Sequence, residues 1–252
     1  MSLECCGISD TGCERANNQD SILLDHSLGL YAVCDGMGGH QQGELAAELA
    51  IRALRFSIDA SRDGFDVTWP FGYNFDLSVD ANRLVTGIRL ANREVWRRSQ
   101  QALECAGMGT TVAAVLLGRS TATIAHVGDS RVYVFHAGAL SLLTQDDTMM
   151  GGMLERGLIT PEKLRTHPMR NVLMQALGPQ ENVNVHVRVD ELEEGDVLLL
   201  CSDGLHGFVC DAEISRILAA AGAADRSAHM LIQATIAAGA PDNVSAVVLK
   251  YC

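Results

Sequence analysis

The sequence predicts an α+β fold in which antiparallel sheets pack face to face and helices lie outside them. Strand-sized apolar runs stand before, between and after the helix-period segments, and the middle strands follow one another at hairpin spacing. No internal repeat or Pro/Ser-rich linker divides the 252 residues, so one domain over 1–252 is expected.

The elements follow in order. Leu3 to Ile8, Ser21 to Leu24 and Leu30 to Cys34 read as short strands. After Gly39-His40, Leu45, Leu49, Ile51, Leu54 and Ile58 recur near the helical period. Ser61 to Val79 has no periodicity and carries Trp69-Pro70-Phe71-Gly72-Tyr73, so it reads as a loop that packs its own rings. A second helix spans about Ala81 to Ser99, with Leu84, Ile88, Ala91 and Val95 on its core stripe and Arg89, Arg93 and Arg97 on the wet one. Thr111 to Leu117, Thr121 to Val127, Arg131 to His136 and Leu140 to Leu143 then read as one antiparallel meander. From about 147 to 177 short helical pieces broken at Pro161 and Pro168 suggest an inserted flap. Strands at Val183 to Val189 and Val197 to Cys201, helices at Asp211 to Ala220 and Ser227 to Ala238, and a last strand at Val244 to Tyr251 close the chain.

Composition removes several classes of function. With 48% hydrophobic residues the chain can bury a sizeable core, which excludes disorder, yet no apolar run approaches the ~20 residues of a membrane helix. A net charge of −12 repels polyanions and argues against general nucleic-acid binding, while favouring cations. Met1-Ser2-Leu3-Glu4 lacks the basic flank and apolar stretch of a secretory signal, so a cytoplasmic chain beginning where the sequence begins is expected. The eight cysteines are scattered without a C-x-x-C pair, and Cys34 and Cys201 sit in apolar runs, so reduced thiols are expected.

The most informative feature is repeated. Three apolar strands run into an aspartate followed by a small residue, at Asp35-Gly36, Asp129-Ser130 and Asp203-Gly204, and Asp242-Asn243 directly precedes the final strand. A single Asp-Gly is ordinarily a turn or cap. Four aspartates at the edges of a β core call for a shared counter-charge, since aspartate is a poor strand residue and costly to bury unpaired. An oxygen-only donor set favours Mg²⁺ or Mn²⁺ over zinc.

Ordered blocks extend this pattern: Arg15-Ala16-Asn17-Asn18-Gln19-Asp20, Val33-Cys34-Asp35-Gly36-Met37-Gly38-Gly39-His40, Met108-Gly109-Thr110-Thr111, His126-Val127-Gly128-Asp129-Ser130-Arg131, Leu143-Thr144-Gln145-Asp146, Asn171-Val172-Leu173 with Ala176-Leu177-Gly178, Ser202-Asp203-Gly204-Leu205, and Asp242-Asn243-Val244-Ser245. In these blocks the chain resembles the metal-dependent serine/threonine protein phosphatases of the protein phosphatase 2C type, especially the compact bacterial members. Only Ser61 to Val79 lies outside the match. The resemblance implies two central antiparallel sheets flanked by helices, a four-layer αββα sandwich, with a helical flap near a metal site. It implies that Asp35 bridges two Mn²⁺ or Mg²⁺ ions, that Gly36 offers its carbonyl to one, and that Asp203 and Asp242 complete the other. Asp129 would share a third, weaker ion with Asp203, Asp20 would orient metal-bound water, and Arg15 would grip the substrate phosphate. Phosphorylated proteins, including a serine/threonine kinase and its substrates, are the implied partners of a monomer.

General chemistry agrees with those roles. A water between two divalent ions ~3.5–4 Å apart ionises near neutral pH and attacks phosphorus in line, with no protein nucleophile. Arginine's planar fork suits phosphate and keeps its charge. The chain departs from the family pattern at Gln19, commonly Glu, at Asp147, usually His, and at Gln175, frequently Arg. Met37 cannot donate a proton, and His40 reads first as a residue that starts the helix or bonds a loop carbonyl, so metal-bound water is the first choice for the leaving-group acid and His40 the second. His26, His167, His186, His206 and His229 stand outside any sequence cluster, and His126 and His136 read as structural. The alternative function is a metal-binding regulatory module that holds a phosphoprotein or kinase without turning it over.

Overall fold

The computed structural model describes residues 2–39, 42–62, 68–101, 103–160, 163, 167, 169 and 172–252. One sheet holds β1 (Leu3–Asp10), β11 (Val244–Tyr251), β10 (Val197–Cys201), β7 (Arg131–His136) and β8 (Ala139–Leu142), in that order. The other holds β2 (Asp20–Asp25), β3 (Leu30–Met37), β5 (Val112–Leu117), β6 (Thr121–Val127) and β9 (His186–Glu191), with the two-residue β4 (Gly109–Thr110) paired to the end of β3. Neighbouring strands pair antiparallel throughout.

The period-2 alternation of side chains sorts single strands between two cores. In β3, Leu30, Ala32 and Cys34 face α1 (Gln42–Ala60) and α2 (Val79–Gln101), whereas Tyr31 and Val33 point into the space between the sheets. In β10, Val197, Leu199 and Cys201 take the opposite outer face while Leu198 and Leu200 join Tyr31 and Val33. That outer face is covered by the helices Asp211–Ala221 and Ala224–Ala237, through Ile214, Ile217, Ala228 and Leu231. Three apolar layers between four layers of backbone give the expected αββα sandwich. They also explain why antiparallel strands here read as nearly continuous apolar runs: both of their faces are buried.

The expected meander is corrected by the register. β6 pairs with β5 and β9, not with β7, and β7 pairs with β8 and β10 in the other sheet. The chain changes sheets at Gly128-Asp129-Ser130, where Gly128 has φ +99°, a value that suits glycine. Sequence spacing alone cannot separate a hairpin from such a switch, because both need a short connection with a glycine.

Between β8 and β9, the described part of the flap contains α3 (Met149–Glu155), whose first turn is capped by Thr148 accepting from the Gly151 N–H at 3.0 Å. An isolated bridge from Thr148 to Leu173 joins the two ends of the flap to each other, and one from Thr110 to Leu177 ties its C-terminal end to β4. The breaks expected at Pro161 and Pro168 lie outside the described residues. The β9 strand starts at His186 rather than Val183. The Ser61 to Val79 loop does pack its own rings: Trp69 meets Tyr73 edge-on at 5.0 Å, and Tyr73 meets Phe75 at 5.1 Å. Arg93 lies 4.8 Å from the centre of the Phe71 ring, which fastens the loop to α2. All eight cysteines are free thiols.

A four-residue helix, α4 (Asp203–His206), follows β10 directly and precedes α5 (Asp211–Ala221) and α6 (Ala224–Ala237). It sits where it does because Gly204 lets two backbones meet: a Cβ there would lie 1.9 Å from the carbonyl oxygen of Asn243. Gly204→Ala is therefore expected to cost at least about 2 kcal/mol, lowering the melting temperature by roughly 5 °C. Gly152→Ala, where a Cβ meets nothing within 4 Å, is the control and should not destabilise. Equal melting temperatures for the two variants in a thermal scan would refute the close packing.

Candidate active site

The strand ends converge. Asp20 opens β2 directly across from Asp35 near the end of β3, and the Asp20–Asp35 register is fixed by the β2–β3 ladder. Asp203 opens α4 at the end of β10, Asp242 occupies the turn before β11, and Asp129 lies in the switch between the sheets. All five belong to one electrostatic cluster, since the charges of Asp20, Asp203, Asp129 and Asp242 each act on Asp35.

Backbone and hydroxyl contacts hold the carboxylates in place. The Asp35 N–H donates to Thr111 Oγ1 at 3.0 Å, and its carbonyl accepts from the Thr111 N–H at 2.9 Å and from Thr110 Oγ1 at 2.9 Å. Asp20 Oδ2 accepts from Ser202 Oγ and Ser245 Oγ, both at 2.7 Å, so β2 is locked to the ends of β10 and β11. Asn243 Oδ1 accepts from the Gln19 N–H at 2.9 Å, and Asn243 Nδ2 donates to the carbonyls of Thr11 and Asn17, both at 2.9 Å. That side chain anchors the segment carrying Arg15 to the loop carrying Asp242. His206 Nε2 lies 3.0 Å from the Asp129 carbonyl. Burial pushes His206 down to about 4, so it is a neutral ring donating to that oxygen. At Gly36 a Cβ would fall 2.1 Å from the Gly43 carbonyl oxygen, which is why the first turn of α1 can press against the end of β3.

Ser202, Ser245, Asn243 and His206 were not predicted as site residues. Ser202 and Ser245 do sit beside the aspartate motifs, and that adjacency is the signal that could have found them. His206 has no such signal, because the turn of α4 alone aims it at Asp129.

The electrostatics are those of a site short of positive charge. Burial, then the charges of Asp20, Asp203, Asp129 and Asp242, push Asp35 well above the ordinary carboxylate range. Burial and the Asp203 and Asp146 charges raise Asp129 to about 8. Burial raises Asp20 to about 6 although the Ser245 and Ser202 hydroxyls pull it down. Asp203 is raised by burial and by Asp242, and it shares a hydrogen bond with Asp35. The nearby cation Arg131 is committed to Asp146 through a bidentate pair at 2.9 and 2.7 Å.

Arg15 departs from the simplest expectation. Its Nε and Nη2 donate to both oxygens of Asp242 at 2.9 and 2.8 Å, so in this structure it neutralises an expected metal ligand. The side chain is 55% exposed, and Nη1 makes no hydrogen bond among the described residues. His40 lies outside the described residues. Met37 is half-buried beside Gly36.

One atom tests whether these residues fit a cation. Asp20 Oδ1 is buried without a hydrogen-bond partner among the described residues. An orphaned carboxylate oxygen is costly inside a protein, and here it sits among carboxylates that raise one another's pKa. Hard divalent cations with their water ligands supply the missing charge and donors, so the donor set fits Mg²⁺ or Mn²⁺.

A second group of potential ligands stands nearby. His126, Asp147 and His186 each offer one donor atom, all within 4.8 Å of one another. In sequence His186 stands outside any cluster and His126 reads as structural, because the β6–β9 register that pairs them is invisible there.

Comparison with known proteins gives the same picture. Residues 13–231 match the family described as Protein phosphatase 2C. The serine/threonine protein phosphatase PstP of Mycobacterium tuberculosis is 37% identical over 240 residues, covering 95% of this chain and 43% of that protein, so the chain spans less than half of that relative's length. The serine/threonine phosphatase stp of Listeria monocytogenes is 32% identical over 245 residues, covering 96% of this chain and 93% of the relative. The crystal structure of the PstP catalytic domain in complex with two manganese ions superposes with a TM-score of 0.83 at 34% identity, covering 98% of this chain and 97% of that one. A match running through nearly every strand end that carries an aspartate, together with relatives of this identity, establishes that the chain belongs to the protein phosphatase 2C family.

Proposed function

We propose that this chain, acting as one catalytic unit, hydrolyses phosphoserine and phosphothreonine on proteins with Mn²⁺ or Mg²⁺ as cofactor. The single observation that carries the reading is the gathering of Asp20, Asp35, Asp129, Asp203 and Asp242 at one end of the sandwich, with Asp20, Asp35, Asp129 and Asp203 raised in pKa and one buried oxygen orphaned. Two such ions supply a water nucleophile ionised near neutral pH and offset the charge of the phosphate. Asp35, the Gly36 carbonyl, Asp203 and Asp242 would hold the pair, and Asp129 with Asp203 would hold a third, weaker ion. Asp20, clamped through Oδ2 by Ser202 and Ser245, would orient the attacking water with Oδ1, which has no hydrogen-bond partner among the described residues. The leaving alkoxide takes its proton from solvent held in the cluster, since Met37 offers none. A bacterial-type serine/threonine kinase and its substrates are the proposed partners, and the proposed setting is the cytoplasm. Among the described residues no helix is long and apolar enough to cross a membrane.

Arg15 is proposed to bind the substrate phosphate through the rim-exposed part of its guanidinium while still paired with Asp242. Arg15→Ala should then raise KM by roughly tenfold, about 1.4 kcal/mol, with a smaller fall in kcat. An unchanged KM in steady-state kinetics on a phosphopeptide would remove Arg15 from phosphate binding.

The deciding experiment is phosphate release from a phosphothreonine peptide by the purified chain with Mn²⁺, with Mg²⁺ and with chelator, beside Asp35→Ala. Metal-dependent release that the variant loses is the expected outcome. Metal binding without release would instead leave the regulatory module that holds phosphoproteins without turnover.

A further inference from the structure

We propose that His126, Asp147 and His186 form a transition-metal site, selective for an ion such as Zn²⁺, that is separate from the carboxylate cluster. The site is built by strand register. His126 on β6 and His186 on β9 are directly paired across the ladder, so both rings project from the same face. The rings stack with centres 4.9 Å apart and planes 19° from parallel. Asp147, arriving from the flap, places Oδ1 2.9 Å from His186 Nε2. One donor atom from each residue lies within 4.8 Å of the other two, a spacing that a single ion can draw together by small side-chain rotations.

The surroundings hold the donors as metal ligands are held elsewhere. The Gln145 carbonyl lies 2.8 Å from His126 Nε2 and the Gln145 N–H 3.3 Å from the same nitrogen; with the shorter contact as the hydrogen bond, Nε2 carries the proton and Nδ1, which has no hydrogen-bond partner among the described residues, keeps the lone pair. Asp147 Oδ2 accepts from the Gly128 N–H and from Gln175 Nε2, both at 2.9 Å, so the carboxylate is oriented through one oxygen and offers the other. Gln175 is itself fixed by Asn184, donating to its carbonyl at 3.0 Å and accepting from its N–H at 3.2 Å.

Two further observations separate this group from an incidental ion pair. Asp147 and Gln175, 28 residues apart in the chain, are joined by a hydrogen bond within this one cluster. An ion pair between Asp147 and His186 needs neither the second imidazole nor the glutamine. Access is also present: His186 lines a cavity of about 480 Å³ beneath the aromatic loop, shared with Phe71, Tyr73 and Arg89.

The donor chemistry sets the ion. Two imidazole nitrogens and one carboxylate oxygen form the N₂O set that suits zinc and its neighbours, whereas the five aspartates offer only oxygen. Three protein ligands leave a fourth position for water or for a group entering from the cavity. The two sites should therefore fill independently in a mixture of Mg²⁺ and Zn²⁺.

The test uses the full chain, stripped with chelator and then held in saturating Mg²⁺ so that the carboxylates are occupied. Zn²⁺ is added while the ring-proton resonances of the eight histidines are followed by NMR, with stoichiometry read by equilibrium dialysis. The expected result is one Zn²⁺ per chain, with the His126 and His186 resonances shifting together. His186→Ala and Asp147→Asn, each checked by circular dichroism, should weaken that binding beyond the roughly 10–100-fold that loss of a merely supporting group costs. No Zn²⁺ bound above the Mg²⁺ background, binding that leaves both resonances unmoved, or an equivalent that survives in a folded variant would overturn the assignment. None of these readouts depends on phosphate hydrolysis, so the site stands or falls separately from the proposed enzyme.

Discussion

Asp203→Asn is expected to reduce Mn²⁺-dependent turnover by roughly a thousandfold while leaving the fold intact, and to raise the melting temperature of the metal-free protein. The loss follows from charge. An amide keeps the shape of the side chain at the start of α4 but removes one negative charge from the cation site. Losing the corresponding cation forfeits about 4 kcal/mol of transition-state stabilisation. The gain in stability comes from the same change. Burial and the neighbouring Asp242 charge raise the pKa of Asp203, so its ionised form destabilises the metal-free fold, and the amide removes that term. Opposite signs for activity and stability distinguish a cation-holding role from a structural one, because a structural aspartate would lose both. Phosphopeptide kinetics at saturating Mn²⁺ and a thermal scan in chelator measure the pair. Wild-type turnover, or a lower metal-free melting temperature, would refute the role given to Asp203.

How far the site could be read from sequence depended on what positions each residue. Asp35, Asp129 and Asp203 were legible because each ends an apolar strand, and a strand that enters the core delivers its last residues to the rim of the sheet. The strands themselves were legible for the same reason: Thr121–Val127, Arg131–His136 and Val197–Cys201 agree with the structure to the residue. Sheet membership was not. Whether β6 continues into β7 beside it or across the sandwich is decided by Gly128 and by burial of Tyr133, neither of which leaves a periodic trace.

Pairings across long separations were equally hidden. Arg15 and Asp242 were both named as site residues, but their bidentate contact arises only when β1 and β11 close side by side. Ser202 and Ser245 meet over Asp20 through three strand ends at once. His126 and His186 are adjacent only through the ladder of β6 and β9. Composition, periodicity and motif report what a residue can do and which face it lies on, and register decides whom it meets.

Raising the pH from about 5 to about 8 is expected to lower the melting temperature of the metal-free protein, and Mn²⁺ is expected to reverse that loss most strongly at the upper end. The sign comes from proton counting. In the unfolded chain aspartates ionise near their ordinary value of about 3.9. In the fold, burial holds Asp20 at about 6 and Asp129 at about 8, and Asp35 and Asp203 are also raised. Above pH 4 the folded state therefore binds more protons than the unfolded state, and each proton of difference lowers stability by about 1.4 kcal/mol per pH unit. The loss continues at least through the ionisation of Asp129 near pH 8. A divalent cation binds the ionised carboxylates and so competes with protons, which makes its stabilisation grow over the same window. At a hundredfold excess over Kd, Mn²⁺ contributes about 2.7 kcal/mol, worth roughly 5–10 °C for a chain of this size. Thermal scans at pH 5, 6.5 and 8, with Mn²⁺ and with chelator, measure both halves. A metal-free melting temperature that rises across this window would mean that the cluster is balanced by its own hydrogen bonds. It would then have no need of a cation, and the reading of these aspartates as a metal site would lose its physical basis.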